Sequence, residues 1–125
     1  MATIFELQNP PFGQLTKTKV IKTENGAHTL TTAEIIEGIV DGTPTGNRAI
    51  TTPTAAEIIS ALGTQSGVGQ CFELTIVNKA ASTHKFTLTA GSGVTIVGEP
   101  DVIADSSGTF IFRVSSSTAV SAFRK

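Results

Sequence analysis

The residue types able to do chemistry are sparse in these 125 residues, and their spacing does not gather them. One cysteine, Cys71, excludes an internal disulfide and a thiolate metal cluster. Its setting, Gln70-Cys71-Phe72-Glu73-Leu74, reads as a strand with a small apolar member. His28 and His84 stand in strand-like segments with no Cys, His or carboxylate at ligand spacing, whereas a zinc site needs three or four ligands. Glu99, Asp101 and Asp105 flank Pro100, but a hard cation usually takes six to eight oxygens, so they read as solvated loop acids. The glycine-rich words fail in the same way. Gly42-Thr43-Pro44-Thr45-Gly46-Asn47-Arg48 lacks the Lys-Ser/Thr ending of a phosphate loop and leads into a strand. Gly67-Val68-Gly69 also precedes a strand, and Ala90-Gly91-Ser92-Gly93-Val94 is not a nucleophile elbow. The expectation is no catalytic residue, no metal and no cofactor.

The elements around these residues are strands. Twenty Thr and ten Ser replace much of the usual charge, and only 15% of residues are charged. β-branched side chains favour extended chain. The net charge of −1 argues against a nucleic-acid surface or an anionic-membrane binder. The absence of Trp and Tyr weakens base-stacking and sugar-stacking readings. No apolar run approaches 18 residues, so no membrane helix is expected, and Met1-Ala2-Thr3-Ile4 lacks the order of a secretion signal.

Residues 1–15 read as an extended N-terminal arm. Pro10-Pro11 bars helix and central-strand pairing, while Ile4, Phe5, Leu7 and Phe12 need cover. The arm must pack on its own domain or on another chain, a neighbouring subunit being favoured. Ile4, Phe5, Leu7, Pro10, Pro11 and Phe12 are therefore the candidate contacts with another chain.

Residues 16–125 read as one β domain. Asn25-Gly26 between strand-like runs predicts a hairpin. Thr31 with Glu34, stopped by Gly38, predicts one or two helical turns; Thr54 with Glu57, the stripe Ile58, Ile59 and Leu62, and Gly63 predict a short helix near 54–62. The word at 32–36, Thr-Ala-Glu-Ile-Ile, resembles Ala-Ala-Glu-Ile-Ile at 55–59, but two words fall short of a repeat architecture. Beyond residue 70, alternation with turns about every ten residues predicts antiparallel sheet. It places Phe72, Leu74, Ile76, Phe86, Leu88, Phe110, Phe112 and Val114 inside. At roughly 1.5–3 kcal/mol each, these supply most of the hydrophobic drive. The expected fold is all-β, a single antiparallel β-sandwich.

The run Leu30-Thr31-Thr32-Ala33-Glu34-Ile35-Ile36-Glu37-Gly38-Ile39-Val40, then Thr43-Pro44-Thr45-Gly46-Asn47-Arg48 and Thr51-Thr52-Pro53-Thr54-Ala55-Ala56-Glu57-Ile58-Ile59, resembles small virion structural proteins of tailed bacteriophages and related viruses. Gly69-Gln70-Cys71-Phe72-Glu73-Leu74-Thr75-Ile76-Val77-Asn78 and Phe86-Thr87-Leu88-Thr89-Ala90-Gly91-Ser92-Gly93-Val94-Thr95 continue the likeness, which covers roughly residues 28–124. The resemblance implies a jelly-roll-like sandwich and a capsid decoration (cement) protein on the outer capsid surface of the virion. Its implied partners are two further copies, as a homotrimer, and the major capsid protein, with no nucleic acid and no membrane. The alternative is a fibre or spike head that binds a host receptor or glycan through loops 41–47, 63–69 or 98–107.

Overall fold

The computed structural model describes residues 19–125. Ten strands and two helices follow in the order β1 (Val20–Thr23), β2 (His28–Thr29), α1 (Thr32–Ile35), β3 (Gly38–Gly42), β4 (Arg48–Thr51), α2 (Ala55–Leu62), β5 (Cys71–Asn78), β6 (Phe86–Thr89), β7 (Val94–Val97), β8 (Asp101–Val102), β9 (Ser106–Ser116) and β10 (Ala119–Arg124). They form a six-stranded sheet, β1-β3-β5-β9-β10-β7, and a four-stranded sheet, β2-β4-β6-β8. Both sheets and both helices contribute to one core, from Leu30, Ile50 and Phe86 to Leu74, Phe110 and Phe112.

The expectation of a single antiparallel sandwich is corrected by the strand directions. β1 pairs parallel with β3 and β3 with β5, while β2 pairs parallel with β4 and β4 with β6. The reason is the path of the chain. Strands β1 to β6 alternate between the sheets, so each return to a sheet comes after a crossover and runs in the direction of the strand before it. Antiparallel pairing begins only where β9 meets β5 and β10, and where β8 meets β6. β9 occupies the place beside β5, so β7 joins the far side of the sheet, parallel to β10.

The Asn25-Gly26 turn is likewise no hairpin. It joins β1 in one sheet to β2 in the other, and neither residue has the positive φ of a two-residue hairpin turn. Asn25 Oδ1 instead accepts the Thr43 N–H at 2.8 Å, holding one corner of the coil against the next.

The two helix words occupy equivalent places. α1 carries the chain from β2 to β3 and α2 carries it from β4 to β5, each from the small sheet to the large one. Both have a reciprocal capping box. Thr31 Oγ1 accepts from Glu34 N–H at 3.2 Å while Glu34 Oε1 accepts from Thr31 N–H at 2.9 Å, and Thr54 with Glu57 repeats this at 3.1 and 2.9 Å. Their Ile35 and Ile58 are fully buried. The similarity of residues 32–36 and 55–59 therefore marks successive turns of a short coil. Gly63 caps α2 at φ +59°, as its position predicts. Gly38 acts differently from its predicted role: α1 ends at Ile35, and Gly38 opens β3 where a Cβ would lie 1.7 Å from the Glu34 carbonyl oxygen.

All eight side chains that alternation places inside are buried. Phe72 and Phe112 stack across β5 and β9 with centroids 5.0 Å apart. The buried polar residues are joints. Asn78 donates to the carbonyls of His84 (2.9 Å) and Val102 (3.0 Å) and accepts from Ala80 N–H (3.0 Å). Thr52 donates to the Pro53 carbonyl and accepts from Gly91 N–H, each at 2.8 Å. Each satisfies groups whose burial without partners would cost about 1–3 kcal/mol apiece.

Candidate interaction surface

The residues singled out for chemistry remain largely apart. Cys71 is the first residue of β5, as the strand reading expects, and is exposed. Arg48 opens β4, and its guanidinium donates to Thr45 Oγ1 at 3.3 Å, so the glycine-bearing loop before it holds its own arginine. Asp101 accepts from Lys85 Nζ and from Thr87 Oγ1 at 2.7 Å, while Arg124 donates to the Glu99 and Asp101 carbonyls. These contacts tie the end of β10 to the turn before β8. The hydrogen bond from Lys85, then that from Thr87, holds the Asp101 carboxyl below its usual range, and the Asp101 hydrogen bond in turn raises the Lys85 ammonium. Among the described residues no group of three or more His, Cys, Asp or Glu is placed to hold a metal ion.

One arrangement is invisible in the sequence spacing. His28 has carboxylates on both sides: its Nε2 lies 3.0 Å from Glu34 Oε1 and its Nδ1 lies 3.6 Å from Glu24 Oε1. Lys22 Nζ lies 3.7 Å from Glu24 and 3.8 Å from Glu34. Burial pushes the Glu34 carboxyl up, but the Thr31 N–H, His28 and Lys22 outweigh it and leave the value lowered. The cluster ties β1, the corner after it and α1 together. A second ion group lies on β3, where Thr23 Oγ1 (2.8 Å) and then Lys79 Nζ (3.2 Å) depress the Asp41 carboxyl. Both groups stitch coils to each other, and Lys79 of the second also borders an open hollow with Asn78, Asp105 and Ser106.

What the surface does offer is apolar area on strands. On the outer face of the large sheet, Glu73, Ile111, Phe123 and Val97 stand in one row across β5, β9, β10 and β7. Val97 at the β7 edge is 42% exposed and Phe123 beside it 39%. At the opposite edge, Val20 is 48% and Ile21 65% exposed on β1. Among the described residues, β1 and β7 each have a hydrogen-bonded neighbour on one side only. An open groove of about 770 Å³ lies between the two crossovers, lined on one side by Thr29, Leu30 and Thr32 and on the other by Pro53, Ala56 and Ser60.

The candidate contacts Ile4, Phe5, Leu7, Pro10, Pro11 and Phe12 lie outside the described residues. The apolar sheet edges were missed by sequence reasoning. Alternation signals that Ile111 opposes Phe110 and Phe112, but the row with Phe123 and Val97 depends on which strands are neighbours. Among the described residues no helix is long and apolar enough to cross a membrane. Comparison with family models, with curated proteins and with solved structures finds no match to this chain.

Proposed function

We propose that this chain is a virion structural protein of the capsid decoration type, which binds the major capsid lattice as a homotrimer and stabilises the shell from its outer surface. The observation that carries the reading is the pair of apolar edges of the six-stranded sheet that are open among the described residues, Val20 and Ile21 on β1 and Val97 on β7 beside Phe123 of β10. Strand edges that stay in water are normally blunted by charge, proline or a bulge, because unpaired backbone groups recruit other chains. Edges bearing Val and Ile suit a protein that spends its working life packed against protein. The near-neutral charge fits a protein partner better than a nucleic acid. The likeness of residues 28–124 to small virion proteins points the same way. Three modest contacts per trimer, each raising the effective concentration of the next, give firm attachment without one strong site.

The test compares shells assembled with and without this protein. Cosedimentation with the shell and a raised shell melting temperature are expected. Equal melting and no cosedimentation overturn the reading, and binding to glycans or host cells in their place moves it to a fibre head.

A further inference from the structure

We propose that Asn25 is a deamidation site at which the fold itself supplies the base and the oxyanion donor for cyclisation onto Gly26. The inference is independent of the decoration reading, because it concerns one chain alone. Four asparagines occur in the sequence, and the residues after them are Pro10, Gly26, Arg48 and Lys79. Of these only Gly26 lacks a Cβ, so only there is the following backbone nitrogen free of side-chain crowding. Asn78 is buried and its amide donates to two carbonyls, and Asn47 Oδ1 is held by the Lys85 N–H at 3.2 Å. Asn25 is exposed, so water reaches it.

Two contacts prepare this corner. Gly26 N–H donates to Glu24 Oε2 at 3.2 Å, which sets a carboxylate on the proton that must leave. The other oxygen of that carboxylate, Oε1, faces His28 Nδ1 at 3.6 Å and Lys22 Nζ at 3.7 Å, and these hold the group in place. On the other side, Thr43 N–H donates to Asn25 Oδ1 at 2.8 Å. That oxygen gains negative charge when Cγ is attacked, and a backbone N–H already aimed at it stabilises the charge.

The reaction balances within the chain and water. Gly26 N bonds to Asn25 Cγ as Glu24 takes the Gly26 proton, and the nucleophile is tethered one residue away. The Cγ–Nδ2 bond then breaks, and Nδ2 leaves as ammonia with that proton. Water opens the cyclic imide at either carbonyl, giving aspartate or isoaspartate. Nothing is oxidised or reduced.

The corner that changes is the one that fastens β1 to β3. Glu24 N–H donates to the Asp41 carbonyl at 2.9 Å, and a Cβ on Gly42 would lie 1.9 Å from the Glu24 carbonyl oxygen. The two backbones therefore meet without spare room. Isoaspartate adds a carbon to the main chain at residue 25 and a charge beside Glu24, so its formation loosens the first coil.

The test incubates the full chain at neutral pH, folded and in guanidinium chloride. Peptide mapping then reads the amide-to-acid mass change and the isoaspartate at each asparagine. Conversion is expected at Asn25, at least ~10-fold faster in the folded parent than in the denatured chain or in folded Glu24→Gln, since a positioned base contributes roughly 10²–10⁴-fold. Gly26→Ala tests the nucleophile. Its Cβ would meet Glu24 Oε2 at an ordinary 3.6 Å and its φ is not positive, so the fold is kept, and a loss of at least ~10-fold is expected from crowding at the nitrogen. A folded parent no faster than the denatured chain overturns the inference. So does folded Glu24→Gln reacting at the parent rate, or Asn47 or Asn78 reacting as fast as Asn25. Should Glu24→Gln fail to fold by circular dichroism, the ratio of folded to denatured rates decides. In the separated isoaspartate product, the Glu24 and Thr43 amides are expected to exchange hydrogen faster than in the parent, and equal exchange overturns the loosening.

Discussion

The middle of the six-stranded sheet and its β1 edge are built on different terms. In the middle, β9 runs for eleven residues between β5 and β10, and its Phe110, Phe112 and Val114 are buried. At the edge, β1 has four residues with Val20 and Ile21 exposed, the β2 that follows it in the other sheet has two, and the coil is held by the Lys22–Glu24–His28–Glu34 cluster and the Asn25 and Asp41 contacts. Long antiparallel strands with one buried face are stabilised by area removed from water. A short parallel coil has little area, so hydrogen bonds and ion pairs between successive corners take over. β9 has a hydrogen-bonded neighbour on both sides, whereas β1 has one on one side only among the described residues.

The comparison breaks first if the antiparallel middle is not the stable part. Phe112→Ala removes a stacked, fully buried ring and is expected to cost about 3–5 kcal/mol by urea denaturation. A loss under 1 kcal/mol would mean that the core is centred elsewhere. Asn78→Ala leaves two carbonyls and one N–H without their side-chain partner where β5, β6 and β8 meet, and about 2–3 kcal/mol is expected by the same measurement.

The capping boxes sharpen the contrast. Thr54→Ala and Thr31→Ala each remove one box, at about 1 kcal/mol. The Thr54 change should lower the global melting temperature. The Thr31 change should chiefly speed hydrogen exchange across residues 28–38, the stretch that α1 closes. Equal effects of both on exchange in β9 would show that the chain melts as one unit.

Acid acts in a definite direction. Asp41, Asp101 and Glu34 have lowered native values, so their stabilisation is complete above the ordinary carboxylate values of 3.8 and 4.5 and is lost as pH falls through the native ones. Melting temperature should therefore decline below about pH 4.5, and Asp41→Asn should flatten part of that decline at the cost of lower stability at pH 7. An unchanged acid profile in this variant would remove Asp41 from the account. The smallest effect is expected from Ile21→Lys. An exposed edge position should change monomer stability by no more than ~0.5 kcal/mol. The same charge should weaken association, read as a drop from a trimer of three 12.9 kDa chains in light scattering.

Much of the local structure was legible in the residues. Alternation with a period of two assigned eight core side chains between Phe72 and Val114, though not Ala80, Val94 or Val102, and the Thr-x-x-Glu pairs located both helices, because a face and a cap are decided by neighbours within a few positions. The candidate surface was legible only in part. The apolar segment 4–12 stands out by composition, whereas the edges at β1 and β7 exist only once the order of strands is known. The Asn25-Gly26 turn is the instructive failure: the dipeptide signals a reversal, but not whether the second strand returns to the first sheet or departs for another.

The sequence by itself determined which side chains of β5, β6 and β9 face inward and where the two helices begin. Only the tertiary structure decided that strands β1 to β6 alternate between two sheets and pair in parallel, that the words at 32–36 and 55–59 are matching turns of one coil, and that His28 meets two carboxylates. The physical reason is range. Side-chain facing and capping are settled by contacts a few residues apart, while the partner of a strand edge is chosen by the whole buried core, which no local pattern encodes.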